Sequence, residues 1–431
     1  MTSEEVYKTF LMYPVVTTDS RNCPKDSLFF GIKGQNFDGS KFAQEAINKG
    51  CAYAYVDTRE YADNKFIFYV GDIRRTLTCT ELLQYLGNRM RNRWKTPVIG
   101  VTGTNGKTTT KELIASVLKQ KYDILYTEGN LNNHLGVPLT LLKLKGFHDY
   151  AIIEMGANHP GEIKTLTDIA RPDYGIITNV GKAHIEGFGS FEGVIKTKCE
   201  LYDSVKRDWG TIFVNQDDPI LKEEAIKRGV KTTIFYGKGT KYEAEIVSSD
   251  PFLTIQWKDY TIHSQLIGRY NFDNILAAIT IGKHLEVEDQ LIVKGIEEYT
   301  PTNNRSQYKK TEKNQLIIDA YNANPTSMNA SLDNFIQMKA ESKTVILGDM
   351  KELGHVSDTE HQNIADKLNR SDIQNILLVG ENFAKTTCSK AKFFADVKEL
   401  NEYLESNPFN NQTILVKGSN SMKLIDCIHL L

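Results

Sequence analysis

An apolar run at 98–102 enters a glycine-rich turn, leaves it through Gly106-Lys107-Thr108, and continues as a helix-forming stretch with Leu113, Ile114, Val117 and Leu118 on one side. Strand, glycine loop and helix in this order make a cradle for phosphate. Glycines let backbone N–H groups approach phosphate oxygens, and the helix N-terminus adds the positive end of its dipole. Lys107 supplies a cation for the β- and γ-phosphates, and the Thr108 hydroxyl suits Mg2+. Gly103, Thr104, Asn105 and Thr109 complete the loop. The general pattern asks for glycine five residues before Gly106; Val101 stands there, flanked by Gly100 and Gly103. Kinases, GTPases and ligases all use such loops, so the loop specifies a nucleotide and leaves the reaction open.

The rest of the chain repeats the strand–helix alternation. YAIIEM, YGIITNV, GTIFVN and TTIFYG read as strands following the loop, with helical stretches between most of them. That pattern predicts a mostly parallel sheet covered by helices. Residues 241–266 alternate polar and apolar instead, as a small antiparallel excursion does, and FDNILAAITIGKHL follows as a helix. Turn residues cluster at YTPTNN, residues 299–304, and beyond them QLIIDA, KTVILGDM, QNILLVG and QTILVKGS read as strands of a second doubly wound unit. Before the loop, SLFFGI and CAYAYVD are strand-like, with KFAQEAINKG a helix ending at Gly50. RRTLTCTELLQYLGNRMRNRW is a helix stopping short of Pro97, with Leu77, Leu82, Leu83 and Leu86 near one face. At roughly 100–200 residues per domain, the 431 residues suit three α/β domains, at 1–94, 95–301 and 302–431. The first is small, the second carries the phosphate loop on a mostly parallel sheet, and the third is Rossmann-like.

Composition narrows the partners. Lys plus Arg number 52 and Asp plus Glu 54, a net charge of −2. No basic field recruits nucleic acid, so anionic substrates must be held by local groups. The six cysteines are scattered without a CxxC pair, which argues for free thiols in a reducing cytoplasm. The acidic start differs from a signal peptide, and no run of about 18 apolar residues is present to span a membrane.

TGTNGKTTT closely resembles the ATP loop of the Mur ligase family, and further motifs follow in that family's order. They are GNLNNHLGVPLTL (129–141), IIEMGANHPGEI (152–163), ITNVGKAHIEGFGS (177–190), KTKCEL (196–201), GRYNFDNILAAI (268–279), IDAYNANP (318–325) and LGDMKELG (347–354). With TDSRNCPKDSLFFGIKGQNFDG (18–39), the resemblance covers essentially the whole chain. GNLNN…GVPLTL, EMGAN, NANP and LGDMKELG resemble the branch that adds D-alanyl-D-alanine to a UDP-N-acetylmuramoyl-tripeptide. The branch adding the third amino acid carries a DNPR motif, absent here.

The resemblance implies an ATP-dependent reaction through an acyl phosphate, in a monomeric cytoplasmic enzyme with two Mg2+ ions. It implies Lys107, His184 and Lys198 as catalytic residues. Glu154, at the end of its strand, and His184 would bind metal with Thr108; otherwise Glu154 is a solvated loop carboxylate and His184 a structural or surface histidine. Lys198 would be carbamylated and so become an anionic metal ligand; otherwise it is one more exposed lysine of a charged helix. The family's Lys-Gly-Glu is Lys198-Cys199-Glu200 here, and Lys196 is turned off the same helix face. Asn271 and Asn274 match the adenine-side motif; otherwise Asn271 caps the helix. Arg305 and Asp319 match residues near the nucleotide phosphates and ribose, reaching them as the last domain closes. Ser20 and Arg21 match the uridine-diphosphate site or form a surface turn; Asn132 and Asn133 would contact the UDP substrate. Asn322 and Asn324 would hold the dipeptide, although turns favour Asn regardless, and Lys417 and Ser419 are weaker candidates. Two alternatives stay open: the third-residue ligase, and a nucleotide-binding regulatory protein without ligation.

Overall fold

The computed structural model describes residues 2–73, 77–302 and 304–431. Three α/β units follow one another, each built on its own sheet. The N-terminal sheet has four parallel strands, Val16–Thr17, Leu28–Gly31, Tyr53–Val56 and Ile67–Tyr69. The first and last of these are too short to show any period in the sequence. Gly50 takes the positive φ of 114° expected where its helix ends.

The helix that joins this unit to the next runs Cys79–Trp94. It starts with a capping box between Thr78 and Glu81 and ends on Lys95 in the left-handed conformation. Leu82, Leu83 and Leu86 are buried on one face; Leu77 precedes the helix and packs beside the same cluster. Arg74, Arg75 and Thr76, read as its first residues, lie outside the described residues, as does Asn303 in the turn cluster. Arg91 secures the helix to the central unit. Its guanidinium donates to the carbonyls of Ala170 and Arg171 and to Asp173 at 2.6 Å.

The central sheet has six parallel strands in the order Thr232–Tyr236, Thr211–Asn215, Tyr174–Ile177, Val98–Thr102, Tyr150–Glu154, Ile124–Tyr126. Alternating side chains of Val98–Thr102 serve two cores: Val98 packs with Ile153 and Leu201, Ile99 and Val101 with the Lys107–Leu118 helix. Burial of both faces is what a parallel sheet requires. The 241–266 excursion forms three antiparallel strands, and Leu253, Ile255, Trp257 and Ile262 extend the second core.

The C-terminal sheet has six strands rather than the ones legible by pattern alone. Gln307–Lys310 adds antiparallel at one edge and Ala391–Phe394 parallel at the other. Edge strands carry half-exposed, polar positions, so neither reads as a buried run. All six cysteines are free thiols. No helix among the described residues is long and apolar enough to cross a membrane.

Candidate active site

Sheet order explains the site. Val98–Thr102 lies between Tyr150–Glu154 and Tyr174–Ile177, with Val101 opposite Glu154 and Thr102 opposite Ile177. Whatever follows those two neighbouring strands must flank the phosphate loop, at the carboxyl edge where α/β sheets take ligands.

Segment 178–181 clamps the loop. Asn179 accepts from Thr104 N through its carbonyl and from Asn105 N through Oδ1, both at 3.0 Å. The Asn105 carbonyl accepts from Thr178 Oγ1 at 2.6 Å and Asn179 Nδ2 at 3.0 Å. Gly103 has φ +145°, and a Cβ there would lie 2.0 Å from Thr178 Oγ1. Gly106 has φ +77°, with Asn274 Oδ1 2.6 Å from where a Cβ would be. The following helix, Lys107–Leu118, has no side-chain N-cap, so its first N–H groups are open to an anion. Lys107 Nζ turns back onto the carbonyls of Gly103 at 2.9 Å and Thr104 at 3.0 Å. Loss of solvation lowers its pKa to about 8, against the pull of Glu154 and with a further push from Arg305.

Glu154 is 1% exposed, so it is not a solvated loop carboxylate. Thr108 Oγ1 donates to one oxygen at 2.9 Å and Asn132 Nδ2 to the other at 2.8 Å. A buried carboxylate held by two neutral donors suits an added cation. Among the described residues, no group of three or more His, Cys, Asp or Glu side chains is placed to hold a metal alone. That donor set fits Mg2+, which binds through one or two carboxylates with phosphates and water supplying the rest.

His184 stands at the N-cap position of the short Ile185–Phe188 helix with φ +51°, makes no side-chain capping bond, and meets Glu352 through Nδ1. Burial lowers its pKa, although Glu352 opposes that. Lys198 is 2% exposed while Lys196 is exposed, which removes the reading of Lys198 as a solvated lysine. Its Nζ donates to the Ala157 carbonyl at 3.3 Å and lies 5.3 Å from the centre of the Phe188 ring. Burial, with Lys107 second, lowers its pKa to about 7. Glu200 turns away to receive Gly161 N and Lys164 N, capping the Glu162–Ala170 helix. Cys199 is fully buried in the core.

Asn271 makes no side-chain capping bond, which corrects the capping alternative. Its Nδ2 donates to the Ile267 carbonyl, and its Oδ1 accepts from Asn274 Nδ2, both at 2.8 Å. Asn274 Oδ1 in turn accepts from Thr110 Oγ1 at 2.9 Å. Both amides are thereby fixed beneath the loop.

The C-terminal unit closes the opposite wall. Asp319 and Lys417 are register partners on adjacent parallel strands, and Nζ meets Oδ2 at 2.5 Å. Arg305 stacks on Tyr321, 3.7 Å from the ring centre. Asn322 Oδ1 accepts from Ala323 N. Asn324 caps the Pro325–Gln337 helix and pairs with Asn105 of the phosphate loop. Ser419 Oγ accepts from Lys351 N.

A cleft of about 910 Å3 collects residues 104–109, Asn132, Asn133, Glu154, His184, Asn271, Asn274, Arg305, Asp319, Asn322 and Lys417. A second recess of about 220 Å3 shares His184, Tyr321 and Asn322 with it and adds Asn324, Lys351, Glu352 and Ser419. Gly103 and Lys198 do not line the cleft, although the Ala157 that receives Lys198 Nζ does. Ser20 and Arg21 lie outside both cavities. The Arg21 guanidinium holds Asp19 in a bidentate pair and lowers that carboxyl to about 2. Asn133 Oδ1 accepts from Leu135 N and Gly136 N in a local turn.

Several residues of the site were not singled out from sequence: Thr178, Asn179, Tyr270, Tyr321, Thr326, Ser327 and Glu352. Thr178 and Asn179 stand inside ITNVGKAH, and Glu352 inside LGDMKELG, so the motifs marked them without saying what they touch.

The Mur ligase family catalytic domain matches residues 13–93, the Mur ligase middle domain 101–282, and the Mur ligase glutamate ligase domain 304–420. The chain is 34% identical over 430 residues to the UDP-N-acetylmuramoyl-tripeptide--D-alanyl-D-alanine ligase of Bacillus subtilis (strain 168), covering 96% of this chain and 92% of that one. It superposes on MurF from Acinetobacter baumannii with a TM-score of 0.87 at 28% identity, over 99% and 98% of the two chains. It shares the fold of MurF ligase from Thermotoga maritima, solved in complex with ADP, at a TM-score of 0.84, 24% identity and 97% of each chain.

Proposed function

The chain belongs to the Mur ligase family, and we propose that it joins D-alanyl-D-alanine to a UDP-N-acetylmuramoyl-tripeptide, converting ATP to ADP and phosphate. The observation that carries this reading is the pair of adjoining cavities sharing His184, Tyr321 and Asn322. One holds the phosphate loop; the other opens beside it between the central and C-terminal units. Such an arrangement can bring an acyl phosphate formed in one recess to an amine held in the other.

In the first step a carboxylate oxygen of the tripeptide attacks the γ-phosphorus, and the bond to the ADP oxygen breaks. In the second the dipeptide amine attacks the acyl carbon, the C–O bond breaks, phosphate leaves with the electron pair, and the proton shed by the amine nitrogen passes to the departing phosphate. Two anions meet in the first step, so the work is positioning and charge neutralisation. The open N–H groups at residues 106–109 and the Lys107 ammonium receive the phosphates, Lys107 leaving its carbonyl partners to do so. Asn271 and Asn274 lie on the adenine side. Arg305 and Asp319 approach the ribose and phosphates from the C-terminal unit, where Lys417 holds Asp319 still. Thr108, Glu154, His184 and Lys198 as its carbamate would hold two Mg2+ ions, which offset the charge of phosphates and carboxylate. A lysine amine lowered to about 7 is neutral often enough to take up CO2, which supports the carbamate. Asn132 and Asn133, which line the cleft, are assigned to the UDP substrate together with Ser20 and Arg21 of the first domain. Asn322 and Asn324 line the recess suited to the dipeptide. We place the domain boundaries at 94/95 and 301/302 and read the enzyme as a cytoplasmic monomer.

The test is phosphate release with ATP, Mg2+ and D-alanyl-D-alanine, with and without the UDP-linked tripeptide. Release requiring both, with the pentapeptide mass appearing, is the expected result. Release with a single amino acid in place of the dipeptide would keep the ligase chemistry and remove the branch assignment. Turnover of ATP independent of either substrate would favour the regulatory alternative.

A further inference from the structure

His184 and Glu352 come from different domains, 168 positions apart, and meet through Nδ1 and Oε2. Each stands in a backbone conformation that non-glycine residues rarely adopt: φ is +51° at His184 and +62° at Glu352. Such conformations persist where the surroundings enforce them, and they gather at functional contacts. Two of them facing each other across a domain boundary indicate turns shaped to deliver these side chains. The flanking packing agrees. Gly354, also at positive φ, lies against Glu186, and Lys182 Nζ meets Glu360 at 3.3 Å. The Phe188 ring meets the imidazole edge-on, with centroids 6.3 Å apart. His184 borders both cavities, whereas Glu352 borders the smaller recess.

A histidine that ligates a metal through one ring nitrogen is held at the other by a carboxylate or carbonyl, which fixes its tautomer and its orientation. Here Nδ1 is committed to Glu352, which leaves the Nε2 lone pair for a cation. We propose that Glu352 is a positioning residue that aims His184 at the metal, so that docking of the C-terminal domain completes the cation site of the central domain. The inference rests on the metal-binding reading of His184 given above and goes beyond it. It makes the central site's metal affinity a property of two domains. ATP bound with the C-terminal domain undocked would then lack a properly held cation, which guards against wasteful hydrolysis.

The experiment is Mn2+ titration of the full chain, followed by electron paramagnetic resonance with a non-hydrolysable ATP analogue, so that no turnover is needed. The variants are Glu352→Gln, Glu352→Asp, His184→Ala, the double variant His184→Ala with Glu352→Gln, and Glu360→Gln. Glu352→Gln and Glu352→Asp should weaken Mn2+ binding by about 10- to 100-fold while melting like the parent. The double variant should bind no more weakly than His184→Ala alone, because Glu352 acts only through that ring. Glu360→Gln, which breaks the neighbouring interdomain pair, should stay within about twofold, below the 10- to 100-fold range of a lost outer-shell partner. Additive losses in the double variant would make Glu352 an independent ligand and overturn the proposal. Equal loss in Glu360→Gln would reduce it to general interface damage, and no loss in Glu352→Gln would end it. If the parent protein itself bound no Mn2+ with the analogue present, the metal reading of the site would fall first.

Discussion

Asn324 donates from Nδ2 to Asn105 Oδ1 at 2.7 Å, and Asn105 Nδ2 returns toward Asn324 Oδ1 at 3.4 Å. An amide in the C-terminal unit is thus paired with an amide inside the phosphate loop. The same Asn324 oxygen accepts from Ser327 N and caps its helix.

The two jobs of Asn324 separate on substitution. Asn324→Asp keeps a capping oxygen but loses the N–H that reaches Asn105. One lost hydrogen bond is worth about 1 kcal/mol, or roughly fivefold in an equilibrium constant. The expected outcome is an unchanged melting temperature with a KM for ATP raised about fivefold, read by steady-state kinetics beside a thermal melt. Asn324→Ala should lose both, with a lower melting temperature from the missing cap. An Asp variant with parental kinetics would show that the amide pair does not govern the loop.

Lys198→Ala should abolish ligation, with partial recovery on adding a short carboxylic acid that replaces the carbamate. Lys198→Met should be equally inactive yet melt no lower than the parent, because it removes a buried amine and keeps its volume. The pH dependence follows from the unmodified amine's fall from 10.5 to about 7. Between those values the unfolded chain binds more protons than the folded one, so parental stability rises with pH through that window. The penalty is complete below about 7 and gone above about 10.5. The stability gap between Lys198→Met and the parent should therefore shrink from pH 7 to pH 10, as measured by urea denaturation in CO2-free buffer. A constant gap would show that the amine is not desolvated.

Gly103→Ala places a methyl 2.0 Å from Thr178 Oγ1 at a φ of +145°. Trimming Thr178 would remove the hydroxyl clash but would leave Thr178 N at 3.0 Å and Cβ at 3.1 Å, together with the backbone strain. Gly103→Ala should lose ATP binding, and adding Thr178→Ala should not restore it. Calorimetric titration with ATP decides this, and full recovery in the double variant would mean that φ is not limiting.

Glu154→Gln should raise the Mg2+ concentration for half-maximal activity by about tenfold or more, since one of the few anionic ligands is neutralised. ADP binding without metal should hold or tighten, because a buried negative charge beside the phosphates is gone. Titrations of Mg2+ at saturating ATP, and of ADP with chelator present, measure the two arms. Weaker metal-free ADP binding would instead show that the Thr108 bond to Glu154 shapes the loop.

The sequence by itself determined the local matter: where strands and helices run, the phosphate loop, and the residue types able to hold nucleotide, metal and substrate. Short-range physics sets these, through side-chain periodicity, the need for glycine at Gly103 and Gly106, and turn chemistry. Strands Gln307–Lys310 and Ala391–Phe394 stayed illegible because edge positions carry no continuous apolar run. Only the tertiary structure decided which residues meet. Sheet order put Glu154 on one side of the loop and Thr178–Asn179 on the other. Register paired Asp319 with Lys417, and packing took Lys198 out of solvent. Domain packing brought Asn324 to Asn105 and Glu352 to His184. Such contacts span up to 219 positions of chain. No periodicity reaches that far, because long-range partners are chosen by how buried faces pack and not by the residues between them.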